Sequence, residues 1–238
     1  MDYDRITRRA MRNHLERILA GSDFDAVLNE ISRMPARRAV SPVIGLFCHR
    51  EALVRWRAVS AFGVIAAGLA ERDMESARVV MRRLMWTLND ESGGIGWGAP
   101  EAMGEAAARH ARIADEYGRI LLSYVREDCN FLEHQMLQRG LLWGIGRLAH
   151  SRADAAAAAG PFLVPFLESG DPYHRGFAAW ALRAITGARG RRRVKRLAAD
   201  TARIMFYWNG EPHPVTVGQM AEGAPSGPAG DAVSRGLE

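Results

Sequence analysis

Four segments of this chain repeat one pattern at nearly even intervals. They are VRWRAVSAFG (Val54–Gly63), IGWGAPEAMG (Ile95–Gly104), LQRGLLWGIG (Leu137–Gly146) and HRGFAAWALR (His174–Arg183). Their last residues, 63, 104, 146 and 183, are spaced by 41, 42 and 37 positions. Two positions before each end stands a small residue: Ala61, Ala102, Gly144 and Ala181. One before the end stands a bulky apolar residue: Phe62, Met103, Ile145 and Leu182. A period near 40 is the length of two helices and their turns. One such pair cannot bury its own apolar face, so neighbouring pairs must stack. The small residues let those neighbours approach closely. The pattern predicts an all-α, right-handed α-solenoid of about four to five repeats.

The flanking sequence agrees. Ile6, Ala10, Leu15, Ile18 and Leu19 keep helical spacing, and Gly21-Ser22-Asp23 ends that helix and caps the next, which runs to Pro35. No alternating run of strand length occurs before residue 203. There the apolar stretch Arg203–Trp208 meets Asn209-Gly210, a strong hairpin turn signal, and Val215-Thr216-Val217 can answer it as a second strand. Pro212 and Pro214 restrict that second strand to an edge. Thr216 and Gln219 have capping-box spacing, so a short helix should follow. From Gly223 onward there is little to bury. The expected segments are N-terminal helices forming a cap or degenerate repeat (1–49), the repeat array (50–202), the hairpin with its short helix (203–222), and a disordered tail (223–238).

Composition narrows the class. The 238 residues are 48% hydrophobic and 25% charged, enough apolar material for a sizeable core. Cys48 and Cys129 stand far apart, which excludes a disulfide scaffold or zinc finger and predicts buried, reduced thiols in a cytoplasmic protein. The longest charge-free runs, Ala58–Ala70 and Ala155–Leu167, are 13 residues each, and the amino terminus has no apolar signal region. No membrane span is expected. The net charge of +5 is local: without Arg189, Arg191, Arg192, Arg193, Lys195 and Arg196 it falls to −1. Such a cluster reads as a solvated helix end or loop, or else as a contact for nucleic acid or an acidic partner.

The second-helix pattern Val54-Arg55-x-x-Ala58-x-x-Ala61-Phe62-Gly63 resembles the HEAT-repeat superfamily, in particular the HEAT-like repeats of phycobilin lyases. The resemblance covers about residues 50–187. It departs at Leu141, which replaces the first Ala, and at Arg183, which replaces the final Gly. The string Asn89–Gly98 is also similar to one in an uncharacterised bacterial HEAT-like family. The resemblance implies a fold and a concave side lined by second helices, and it implies no catalytic residues.

Helical geometry places the side chains by angle, at 100° per residue. With the bulky apolar position at 0°, the other repeated apolar positions fall within about 100° of it and form the core face. Trp56 and Trp97 fall near 120°, Trp143 and Trp180 near 160°. All four therefore share a face opposite the core, with Ser60, Glu101 and Arg139, and with Glu105, Arg147, His150 and Arg183 at its edge. Trp and Arg are favoured anchors of binding sites. This face is read as a Trp-lined concave groove, with Trp56, Trp97, Trp143 and Trp180 as contacts and Glu101, Arg139 and Arg147 giving polarity. The alternative is that tight curvature or the carboxyl-terminal hairpin covers the rings and makes them core.

The Asp90-Glu91-Ser92-Gly93-Gly94 turn is a further candidate contact, with Ser92 placed to cap the next helix. It lacks the Gly-Lys-Ser/Thr of a P-loop and carries two acids, so it reads as a rigid acid-lined turn. The seven histidines show no ligand spacing, and no metal or cofactor is expected. The reading that follows is a non-catalytic binding or scaffold module, its partner a protein, a peptide or a flat small molecule. Two alternatives belong to other classes. One is a nucleic-acid-acting enzyme resembling HEAT-like alkylpurine DNA glycosylases, with Glu101 as acid, Trp97 and Trp143 as stacking rings, and Arg139 and Arg147 on phosphates. The other is a chromophore lyase or isomerase, by analogy of fold alone.

Overall fold

A computed structural model describes residues 3, 5–89, 95–185 and 188–223. Two rows of helices stack along the chain. Three N-terminal helices, α1 (Arg8–Leu19), α2 (Phe24–Ser32) and α3 (Ala36–Gly45), lead into α4 (Ala52–Arg72). The inner row is α4, α6 (Ala99–Arg109), α8 (Gln135–Ser151) and α11 (Pro172–Ile185), each packed on the next. The outer row is α5 (Met74–Thr87), α7 (Ala111–Ser123) and a broken stretch containing α9 (Ala153–Ala156) and α10 (Gly160–Leu163). Pro161 and Pro165 lack an N–H for an α-helical ladder, and this stretch runs in single turns with 3-10 segments. After α11 come α12 (Ala188–Lys195), strands β1 (Arg203–Trp208) and β2 (Glu211–Thr216), and α13 (Val217–Gly223).

The helix boundaries follow local chemistry. Thr7 and Asp23 cap α1 and α2, their side chains accepting from the backbone N–H of Ala10 and Ala26. Asp73 ends α4 and caps α5, accepting from the N–H groups of Glu75 and Ser76. The expected small and bulky repeat positions are all in the core: Ala61, Ala102, Ala181, Phe62, Met103, Ile145 and Leu182 are buried. Gly104 and Gly144 permit a close crossing of α6 and α8, because a Cβ on Gly104 would strike the Gly144 backbone and one on Gly144 the Pro100 carbonyl.

The hairpin forms at the expected place. Asn209 and Gly210 have φ of 48° and 83°, as a type I′ turn requires. Pro212 and Pro214 lie opposite Tyr207 and Met205. Proline has no N–H to give, so both sit where β2 turns its nitrogens outward. Thr216 and Gln219 cap α13 reciprocally, Thr216 N–H donating to Gln219 Oε1 (2.7 Å) and Gln219 N–H to Thr216 Oγ1 (3.1 Å).

Two expectations need correction, the buried thiols and the Ser92 cap, and α4 adds a feature the charge-free runs did not show. Cys48 and Cys129 are exposed, since one ends a single 3-10 turn and the other lies in the turn after α7. Helix α4 is long and apolar enough to cross a membrane by length and composition, a property that charge-free runs concealed because Arg55 and Arg57 interrupt it. Most of its apolar window is buried inside the fold, as in a core helix. Finally, α6 is capped by Gly98 in the left-handed region (φ 75°), and the Asp90, Glu91, Ser92, Gly93 and Gly94 turn lies outside the described residues. The same holds for the tail beyond Gly223.

Candidate functional site

The inner face carries a continuous aromatic cluster, and the hairpin fills it. Trp56 on α4 lies 5.0 Å from Trp143 on α8, and Trp143 lies 6.3 Å from Trp180 on α11. Three of the four rings that helical angle places on one face thus meet there. Strand β1 then covers them. Tyr207 stacks on Trp56 at 5.2 Å and 12°, Phe206 meets Trp180 edge to face at 4.9 Å, and Trp208 does so at 5.6 Å. The indole N–H of Trp143 donates to the Tyr207 carbonyl (3.1 Å), and the Tyr207 and Ser60 hydroxyls bond at 3.1 Å. Trp143 and Trp180 are 1% and 4% exposed, and Trp56 is half-buried. An open Trp groove is therefore not present at these three positions. Their rings are core, shared between the array and its own carboxyl-terminal strand.

Arg57 locks the hairpin from the other side. It is 1% exposed and donates to the carbonyls of Gly210 (2.7 Å), Leu19 (2.9 Å) and Gly21, and to the Glu211 carboxylate. One guanidinium thus ties the hairpin turn to the α1–α2 junction. Its five donors suit several carbonyls at once, which a lysine could not match. Sequence reasoning missed Arg57, because its acceptors lie more than 30 residues before it and more than 150 after it.

The polar groove residues are mostly engaged with one another. Glu105 is buried between Arg109 (2.6 Å) and Arg147 (2.7 Å), and Arg147 also lies over the Trp208 ring at 5.8 Å. Burial works to raise the Glu105 carboxyl, but Arg147 and Arg109 outweigh it and hold it below the usual range. Arg139 is bound to the buried Asp171 (2.6 Å) and lies over Tyr173 at 4.6 Å. His150 stacks on Trp180, and burial lowers its pKa. Arg139 and Arg147 therefore hold the fold together and do not stand ready for phosphates, and the covered Trp143 offers no stacking face to a base. The phosphate role of Arg139 and Arg147 and the stacking role of Trp143, both assigned by resemblance to the glycosylases, lack the geometry they need.

One end of the face stays open. Trp97 precedes α6, so the helical angle that placed it beside Trp56 does not apply. It is 36% exposed and meets the His134 ring edge-on at 5.3 Å. His134 caps α8, its Nδ1 accepting from Met136 N–H (3.2 Å), and the Met136 sulfur contacts Arg139 (3.2 Å). Ile95 and Met136 are 45% and 46% exposed. Contacts thus run from Trp97 through His134 and Met136 to Arg139. Glu101, in the first turn of α6, lies against Gly140 of α8, where any Cβ would displace its carboxyl group. Its Oε2 is enclosed without a hydrogen-bond partner, and burial pushes its pKa up to about 7. Among the described residues no three of His, Cys, Asp and Glu gather as metal ligands. The basic cluster lies elsewhere, on α12 and the turn after it, where Arg191, Arg192, Arg193, Lys195 and Arg196 are exposed, while the Arg189 side chain is outside what the structure describes.

No family model and no curated protein matches this chain. Similar solved structures include an engineered protein from a structural genomics consortium, with 18% identity over 89% of this chain and 93% of that one (TM-score 0.48). Others are a computationally designed armadillo repeat protein for modular peptide recognition and a designed armadillo repeat protein in complex with the peptide (KR)4. The former has 16% identity over 88% and 96% of the two chains (TM-score 0.45). The latter has 17% identity over 78% and 87% (TM-score 0.42). At these values the likeness is a loose one, of helical repeat to helical repeat.

Proposed function

We propose that this protein is a non-catalytic binding module that holds a protein or peptide segment at the end of the inner face its hairpin leaves open. The carrying observation is Trp97, which stands 36% exposed while Trp143 and Trp180 are covered. Ile95, two residues before Trp97, and Met136, two residues after the His134 that Trp97 meets, are further exposed apolar side chains, and Glu101 adds an acid that burial pushes up to about 7. Aromatic rings and methionine are the side chains that most often anchor interfaces, and methionine adapts to differing partners. Of the seven residues assigned to a groove, Trp97 and Glu101 are retained as contacts. Trp56, Trp143, Trp180, Arg139 and Arg147 are assigned to support.

The test is a peptide-display selection against the full chain, repeated with Trp97→Ala and Glu101→Gln. The reading expects enriched peptides whose binding is lost with Trp97→Ala while the circular dichroism spectrum is kept. Peptides that bind the variant equally well, or no enrichment at all, would overturn it. Glu101→Gln keeps shape and removes charge, so weaker binding of basic peptides alone would assign the acid a selective role.

A further inference from the structure

No acidic residue occurs between Asp171 and Asp200, and Asp200 is held by Arg175 at 2.8 Å. Within that acid-free stretch, α12 turns Val194 into the core and Arg191, Arg192, Arg193 and Lys195 outward, and Arg196 is exposed in the turn that follows. The side chains of Arg192, Arg193, Lys195 and Arg196 have no ion-pair or hydrogen-bond partner among the described residues. Within α12, Arg191 and Lys195 stand four apart, so like charges face each other on successive turns, with Arg192 and Arg193 beside them. That spacing weakens an isolated helix. On α5, by contrast, Arg78 and Arg82 are neutralised by Glu75 and Glu116.

We infer that the exposed face of α12 is a docking surface for the phosphate backbone of nucleic acid. An anionic partner restores the missing countercharge, and the composition of the face indicates which kind. A protein interface wants an apolar or aromatic anchor, and a membrane-lying helix wants apolar side chains to insert. The outward side of α12 offers neither, since its one large apolar residue, Val194, points inward. A phosphate backbone asks only for closely spaced cations, and guanidinium groups bind its oxygens in pairs. Contacts of this kind carry no base readout, so binding is indifferent to sequence. This surface is separate from the Trp97 patch and does not depend on it.

The experiment is fluorescence anisotropy of the full chain with two labelled 24-base-pair duplexes of unrelated sequence. With about four phosphates neutralised, affinity should fall on the order of 100-fold between 50 and 200 mM salt. The two duplexes should bind within about 3-fold of each other. The triple variant Arg192→Glu, Arg193→Glu, Arg196→Glu should bind at least about 10-fold more weakly with an unchanged melting temperature. The triple variant Arg8→Glu, Arg9→Glu, Arg12→Glu on the exposed face of α1 changes the net charge equally and should change binding by less than about 3-fold. Equal loss in both variants would reduce the effect to net charge and overturn the site. Absence of salt-sensitive binding, or tighter binding to phosphatidylserine vesicles or to polyglutamate than to DNA, would overturn the choice of partner. Trp97→Ala should leave duplex binding unchanged.

Discussion

Replacing Trp143 by alanine asks most directly whether the aromatic face is core or groove. The ring is 1% exposed, touches Trp56, Trp180 and Tyr207, and donates a hydrogen bond to the Tyr207 carbonyl. Removing a buried indole leaves a cavity, and Trp→Ala changes of this kind cost about 3–5 kcal/mol. The orphaned carbonyl adds to that cost. Whole-domain stabilities are about 5–15 kcal/mol, so the variant should be close to unfolding at 37 °C. Trp97→Ala is the internal control: its ring is 36% exposed, water can fill the space it leaves, and the cost should be about 1–2 kcal/mol. Urea denaturation followed by circular dichroism at 222 nm measures both. Equal losses, or a Trp143→Ala loss below about 1 kcal/mol, would refute the covered-core reasoning.

Other consequences can be checked independently. Arg57→Met leaves the Leu19 and Gly210 carbonyls without their donor and should cost about 3 kcal/mol, with amide exchange in Arg203–Thr216 accelerating before that in α8; uniform acceleration would deny Arg57 its role as hairpin lock. Ending the chain after Thr201 should expose Trp56, Trp143 and Trp180, read as red-shifted emission and stronger acrylamide quenching with most helicity retained; unshifted emission would contradict the contacts of Tyr207 and Phe206. Glu101 supplies a pH dependence. Its carboxyl titrates near 7 in the fold against an ordinary value of 4.5, so the folded state binds the extra proton between those values. Its contribution to stability is full below about pH 4.5 and is lost as pH rises through 7, by at most about 3 kcal/mol. Glu101→Gln should therefore match the wild type at pH 4.5 and exceed it at pH 8, and parallel pH–stability curves would show that Glu101 does not titrate in this range.

The period near 40, the stop and cap at Gly21-Ser22-Asp23, and the turn at Asn209-Gly210 are all visible in the sequence. Each is decided within a few residues, by helical spacing, by a side chain reaching its own helix end, or by tolerance of positive φ. The angle at which Trp56, Trp143 and Trp180 leave their helices is equally local, so their meeting on one face could be read from spacing. Trp97 escaped that reading because it stands in a turn, where 100° per residue has no meaning. Whether the shared face is a groove or a core is a different kind of question. It depends on what arrives from elsewhere in the chain. Tyr207 reaches Trp56 across 151 positions, and Arg57 reaches Gly210 across 153. A ring at a given angle is identical in sequence whether water or a strand lies over it. Only the tertiary structure brings β1 onto that face, and that one docking event turned three expected contact residues into support and left Trp97 at the open end.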